Sequence, residues 1–191
     1  MMTLTFTSER ERRLWIGTGL VVAAIYSTLG LARVLAEEFR QQGILEAAFT
    51  AAFVMILFAI GSLALRVRPG GLEIGVALGV VAVYALVFIR MAIPEERTHV
   101  IEYGVVAVLI HEAMGERRAN GGAGWSPTVV AIGLALTVGT IDELIQLFLP
   151  SRVFDVADIF TNGVSAVMAV LAKLALSWAA GRRRQRRADP A

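Results

Sequence analysis

Residues 14–32 run the length of a bilayer crossing without one charged side chain. A helix rises ~1.5 Å per residue, so about 20 apolar residues cover a hydrocarbon layer of ~30 Å. Further apolar stretches, each carrying few charges, follow at 44–65, 72–89, 127–149 and 154–180, and a shorter, more polar one occupies 98–114. The whole 191-residue chain agrees: 57% of it is hydrophobic and 18% charged, where soluble domains run near 45–50% and about 25%. One water-facing core of this size does not hide so much apolar surface. The expectation is an all-α, polytopic transmembrane bundle of about six helices, and an ordinary soluble enzyme is excluded.

Local signals set the expected boundaries. Arg10, Arg12 and Arg13 precede the first stretch, which leaves two readings: a signal peptide cut after Val34-Leu35-Ala36, or a retained anchor. The apolar run exceeds the ~7–15 residues of a signal core, which favours the anchor. Residues 33–43 are amphipathic and expected to lie along the interface. Arg68-Pro69-Gly70-Gly71 is a turn, the glycine-rich 120–124 a flexible loop, and Pro127 opens a helix. Pro150 is expected to stop the fifth helix and Gly181 to cap the sixth, with Lys173 snorkelling toward the interface. Gly75 and Gly79, four apart, offer a small-residue packing face. The chain thus divides into a basic N-terminus (1–13), three helices without a motif (14–97), a three-helix core (98–180) and a basic disordered tail (181–191).

Six crossings place both termini on one side. In that arrangement thirteen Lys and Arg fall on the terminal side and five on the other, so both termini are expected to be cytoplasmic, in a bacterial inner (plasma) membrane protein. The arginine tail then reads as a stop-transfer element, not a nucleic-acid binder. With no Cys in the chain, thiol nucleophiles, disulfides and Cys-ligated zinc are excluded.

Polar residues inside the last three stretches fall into register. His99, Glu102 and Tyr103 share a helix face, as do Asp142 or Glu143 with Gln146, and Asp155, Asp158 and Asn162. Counted from the expected outer ends, the three groups lie roughly 5–12 Å deep in one layer. Arg152, in the Pro150-Ser151-Arg152 connection, is the cation placed to meet their carboxylates. Ionisable groups at such depth cost about 2.5–3.5 kcal/mol each at mid-helix and less toward the rim, so they pair or line a wet cavity and mark function.

The order His99-Val-Ile-Glu102-Tyr103, then Asp142-Glu143-Leu-Ile-Gln146 with Pro150-Ser-Arg152, then Asp155-Val-Ala-Asp158-Ile-Phe-Thr-Asn162 resembles the VanZ-like integral membrane proteins. The resemblance covers residues 98–170, and its matching positions are Glu102, Tyr103, Glu143, Gln146, Pro150, Arg152, Asp158 and Asn162. It implies a small membrane protein in a family whose founding member is associated with low-level resistance to teicoplanin, a lipoglycopeptide. One departure stands out. Gly163 follows Asn162 directly, and Ser165 stands where family members often carry glycine.

Three readings of the polar layer remain open. It recognises the head of a lipid-linked or amphiphilic envelope molecule, with Arg152 on a phosphate and the carboxylates on hydroxyls, amines or a bridging cation. Or it is interhelical glue in a structural or accessory subunit, worth ~0.6 kcal/mol per contact. Or it is a membrane hydrolase or transferase performing phosphoryl or glycosyl chemistry, either through a hard cation held by His99, Glu102 and the neighbouring acids or through a proton-sharing carboxylate pair. Proton or small-ion transport is the minor remainder. No resident cofactor is expected beyond such a divalent cation. The expected partners are membrane lipids or a lipid-linked precursor, and a membrane protein against the first three helices. His99 itself is expected at the interface as a solvated or capping residue. His111-Glu112, followed by Ala-Met-Gly, is no zinc-protease motif and reads as an interfacial cap.

Overall fold

A computed structural model describes residues 6–45, 47–48, 50–51, 54–55, 58, 68–91, 94–122, 124–149 and 154–188. Among them there is no strand. Five helices have defined bounds: α1 Glu9–Gln41, α2 Gly71–Arg90, α3 Pro94–Ala119, α4 Pro127–Gln146 and α5 Val156–Ala188. The described residues between 45 and 58 are helical as well, so the chain is the all-α protein expected. Gly71–Arg90, Pro127–Gln146 and Val156–Gln185 are long and apolar enough to cross a membrane.

Helix ends depart from expectation where a local cap overrules composition. The amphipathic stretch at 33–43 does not form a separate interfacial element, because α1 continues through it to Gln41. No Gly or Pro interrupts it until Gly43, whose φ of 69° ends the helix. There the Gly43 amide donates to the Arg40 carbonyl at 3.0 Å and the Ile44 amide to Phe39 at 2.9 Å, the paired bonds of a Schellman cap. The glycine-rich loop after α3 begins the same way. Gly121 has φ 76°, and the amides of Gly121 and Gly122 donate to Arg118 and Arg117 at 3.2 and 2.9 Å. Gly181 caps nothing. Helix α5 passes through it to Ala188, since one glycine costs a helix only about 1 kcal/mol and the arginines around it are good helix formers. The expected disordered tail is therefore helical up to Ala188.

The chain forms two compact units. The first comprises Met1–Gly30 and Phe88–Leu174. Its apolar centre is Ile25, Val106, Ala107, Ile110, Ala131, Ala135, Ala166 and Val170. Small side chains let these helices close up. Ala131, Ala135 and Gly139 line the buried face of α4 at four-residue intervals, and a Cβ on Gly104 would meet Ala169 Cβ at 3.3 Å. Polar layers cap this core at both ends. At the Arg117 end, Arg10 pairs with Glu112 and Glu116 at 3.0 and 3.3 Å, and Arg117 with the fully buried Glu11 at 2.9 Å. Lys173 reaches this polar end of the core, where its Nζ contacts His111 Nδ1 and lies 2.7 Å from Glu112 Oε1. His111, 8% exposed, is thus part of a buried polar junction at this end of the unit.

The second unit comprises Leu31–Val87 and Ala175–Ala191. Here Glu73 accepts from the Gly70 amide at 2.6 Å, half of a capping box at the start of α2, and also pairs with Arg183 at 2.8 Å. None of the residues of α2 is buried, which suits a helix apolar on all sides to lipid. Gly75 and Gly79 do not form a packing face, since a Cβ at either would meet nothing within 4 Å among the described residues.

Candidate functional site

The second polar layer of the first unit lies where α3 begins, α4 ends and α5 begins. On α4, Gly139, Asp142, Glu143 and Gln146 follow the i, i+3, i+4, i+7 spacing of a single face, and all four are buried. Gln146 Nε2 donates to Asp142 Oδ2 at 3.3 Å and to Glu143 Oε1 at 3.1 Å, tying the two carboxylates together. Gly139 leaves room for α5. A Cβ there would stand 2.8 Å from Asn162 Cβ, so the absent side chain is what lets Asn162 reach the layer.

Asn162 is fully buried and meets α3 through its Oδ1, 3.2 Å from His99 Nδ1. A proton on Nδ1 would be donated to that oxygen and would leave the Nε2 lone pair for another partner. Tyr103, one turn along α3, is fully buried, and its ring lies 5.9 Å from that of His99. The Asp155 amide closes the layer from α5 by donating to Glu143 Oε2 at 3.3 Å. One ligand-type atom from each of His99, Asp142 and Glu143 falls within 4.8 Å of the others.

Four buried polar atoms at this end of the unit make no hydrogen bond of normal geometry among the described residues: Arg97 Nε at the start of α3, the Tyr103 hydroxyl oxygen, Asp142 Oδ1 and Asn162 Nδ2; the Tyr103 hydroxyl nevertheless lies beside the Asp142 carboxylate, as a loose donor to it. An unsatisfied buried polar group costs about 1–3 kcal/mol, and folded proteins leave few of them. Among the described residues no Lys or Arg pairs with Asp142 or Glu143.

Of the residues singled out in the sequence, His99, Tyr103, Asp142, Glu143, Gln146 and Asn162 are brought together. His99 is not the solvated interfacial residue expected. It is 6% exposed, because α3 starts at Pro94 and not near Thr98, which carries His99 a turn deeper into the packed helices. Asp155 does not offer its carboxylate. The side chain is exposed and its Oδ1 accepts from the Ala157 amide at 2.8 Å, the geometry of an N-cap on α5. Glu102 and Asp158 are half-buried. Arg152, with Pro150 and Ser151, lies outside the described residues. Ser165, in the place of a family glycine, is buried with its hydroxyl turned back to the Thr161 carbonyl at 2.6 Å, so the helices still close on it. The residue that sequence reasoning missed is Gly139. Its signal was the spacing of three to Asp142, on the face of Ala131 and Ala135.

No curated protein and no solved structure matches the chain. A family model described as VanZ/LLP1 matches residues 19–176. The match starts inside α1 and ends inside α5, so it takes in the N-terminal helices in which no motif was legible as well as the polar layer. The chain is thus a membrane protein that belongs to the VanZ/LLP1 family.

Proposed function

We propose that this protein recognises the polar head of an amphiphilic envelope molecule, lipid-linked or of the glycopeptide type, at the layer formed by α3, α4 and α5. The observation that carries the reading is the set of buried polar atoms on Tyr103, Asp142 and Asn162 that make no hydrogen bond of normal geometry among the described residues. Interhelical glue would satisfy its own donors and acceptors; this layer leaves the Asn162 amide donor without a partner and joins the Tyr103 hydroxyl to Asp142 only loosely, so donor and acceptor capacity remains for something else. That mixture suits a head rich in hydroxyls or amines. Arg152, in the connection between α4 and α5, supplies bidentate contacts to a phosphate, and the apolar helix faces accommodate the tail. With both termini cytoplasmic, as the Lys and Arg distribution favours, the layer opens toward the outer leaflet of a bacterial inner membrane. A contribution to teicoplanin-type resistance is the physiological setting that the family suggests.

Native mass spectrometry of the detergent-extracted full chain tests this, with wild type beside Arg152→Ala and Glu143→Gln. The expected result is a phospholipid or polyprenyl-phosphate species that travels with wild type and is lost from Arg152→Ala. Three empty proteins, with the variants merely unfolding more easily, would reduce the layer to glue.

A further inference from the structure

We infer that the same layer is a divalent-cation site, with His99, Asp142 and Glu143 as its protein ligands and Asn162 as the residue that aims the imidazole. The inference deepens the recognition reading and rests on it only for what fills the open coordination position.

Charge comes first. Asp142 and Glu143 are adjacent, fully buried and bridged by one amide donor, with no Lys or Arg paired to either among the described residues. Two carboxylates in such a setting carry a large desolvation and repulsion cost, which one divalent cation offsets. The free valences point the same way. Gln146 occupies Asp142 Oδ2, leaving Asp142 Oδ1 buried without a hydrogen bond of normal geometry, and the Tyr103 hydroxyl stands beside the same carboxylate, where it would orient a ligating oxygen. Among the described residues each Glu143 oxygen takes a single donor, Gln146 or the Asp155 amide, and keeps a lone pair.

Reach is adequate. Metal bonds of ~2.0–2.2 Å put tetrahedral ligands roughly 3.3–3.5 Å apart. The three ligand atoms lie within 4.8 Å of one another, so closure needs at most about 1.5 Å, within the swing of an aspartate or glutamate side chain. The Asn162 contact on His99 Nδ1 at 3.2 Å has the form of the outer hydrogen bond that fixes the tautomer and angle of a ligating histidine. One imidazole with two carboxylates favours a first-row divalent ion such as Zn²⁺ or Mn²⁺ over Mg²⁺ and Ca²⁺, which take all-oxygen shells. Three protein ligands leave a position open to an oxygen of the amphiphile head.

The test uses the full chain in detergent, stripped with EDTA and reloaded with ZnCl₂ or MnCl₂. About one equivalent per chain is expected to survive desalting against excess MgCl₂, and Asp142→Asn and Glu143→Gln to weaken retention by about tenfold or more. Pulsed electron paramagnetic resonance of the Mn²⁺ form reads the site without relying on those two variants. The chain has two histidines. A single imidazole nitrogen coupling is expected, kept in His111→Gln and lost in His99→Gln. A wild-type chain with intact helical circular dichroism and no retained metal overturns the inference, as does a nitrogen coupling that survives His99→Gln. An amphiphile held by a wild type that retains no metal after reloading sinks the cation and leaves recognition standing. Stoichiometric metal on a chain that carries no amphiphile supports the cation and removes recognition.

Discussion

Gly139→Ala tests how the layer is assembled. The added methyl carbon would stand 2.8 Å from Asn162 Cβ and 2.9 Å from Asn162 Nδ2, where ordinary contacts begin at 3.4 Å. Both carbons are fixed to backbone, so no rotamer change relieves the overlap, and α4 and α5 must part by about 0.6 Å. Overpacking of this kind costs ~1–3 kcal/mol. Separation also draws Asn162 Oδ1 away from His99, a bond already at 3.2 Å, for about 1 kcal/mol more. Alanine's better helix propensity returns up to ~1 kcal/mol. The net expectation is a loss of about 1–3 kcal/mol, or a Tm lower by roughly 3–10 °C for a chain of this length, measured by thermal unfolding in detergent. The discriminating measurement is the same substitution in an Asn162→Gly background. With the opposing Cβ gone, most of the penalty should vanish, a coupling that a double-mutant cycle reads directly. Wild-type stability in Gly139→Ala, or an equal penalty in both backgrounds, would refute the packing reasoning.

Three further outcomes follow from the ends of the first unit. Burial pushes the Glu11 carboxyl up, but the Thr7 amide and hydroxyl and then the Arg117 guanidinium outweigh it and hold the group below its ordinary 4.5. Its stabilisation is therefore complete above pH 4.5 and is lost as pH falls through the lower folded value. Glu11→Gln should cost about 1–2 kcal/mol at neutral pH, discounted for the partly exposed Arg117, and flatten the acid limb; superimposable acid limbs would count against it. Tyr103→Phe removes a buried hydroxyl that lies beside the Asp142 carboxylate without a hydrogen bond of normal geometry, so stability should change by less than ~1 kcal/mol while a co-purifying amphiphile is retained less well, and a larger destabilisation would contradict this. Lys173→Met strips the cation from Glu112 and His111 and should cost about 1–3 kcal/mol in unfolding measurements, whereas a neutral effect would mean the contact contributes nothing.

Periodicity carried the sequence reading as far as periodicity goes. Apolar runs of bilayer length identified the helices, and the spacing of Asp142 or Glu143 to Gln146 predicted a polar stripe on one helix face, which the structure buries with both acids on it. The convergence of α3, α4 and α5 followed from matching depths at their ends. What stayed illegible depends on contacts between distant residues or on competition at helix ends. His99 read as interfacial because the start of α3 was placed near Thr98, when Pro94 opens it. Asp155 shares a face with Asp158 and Asn162 on a helical wheel, yet as the N-cap its carboxylate turns to the α5 amides. Gly181 has the composition of a cap, and the pairing of Arg183 with Glu73, invisible in the sequence, adds to the reasons for the helix to continue. Gly139 is invisible until Asn162 is seen against it. The N-terminal helices carry no chemical motif, and their place in the family came from the match starting at residue 19.

The central claim is that the layer of His99, Tyr103, Asp142, Glu143 and Asn162 is built around a ligand. The most direct measurement is an experimental structure of the full chain extracted with its native lipids, at a resolution that shows ordered water. Non-protein density larger than a water, bonded to Asp142 Oδ1, the Tyr103 hydroxyl and Asn162 Nδ2, is the expected result. A layer closed on itself, with those three atoms satisfied by one another or by single waters, would contradict it.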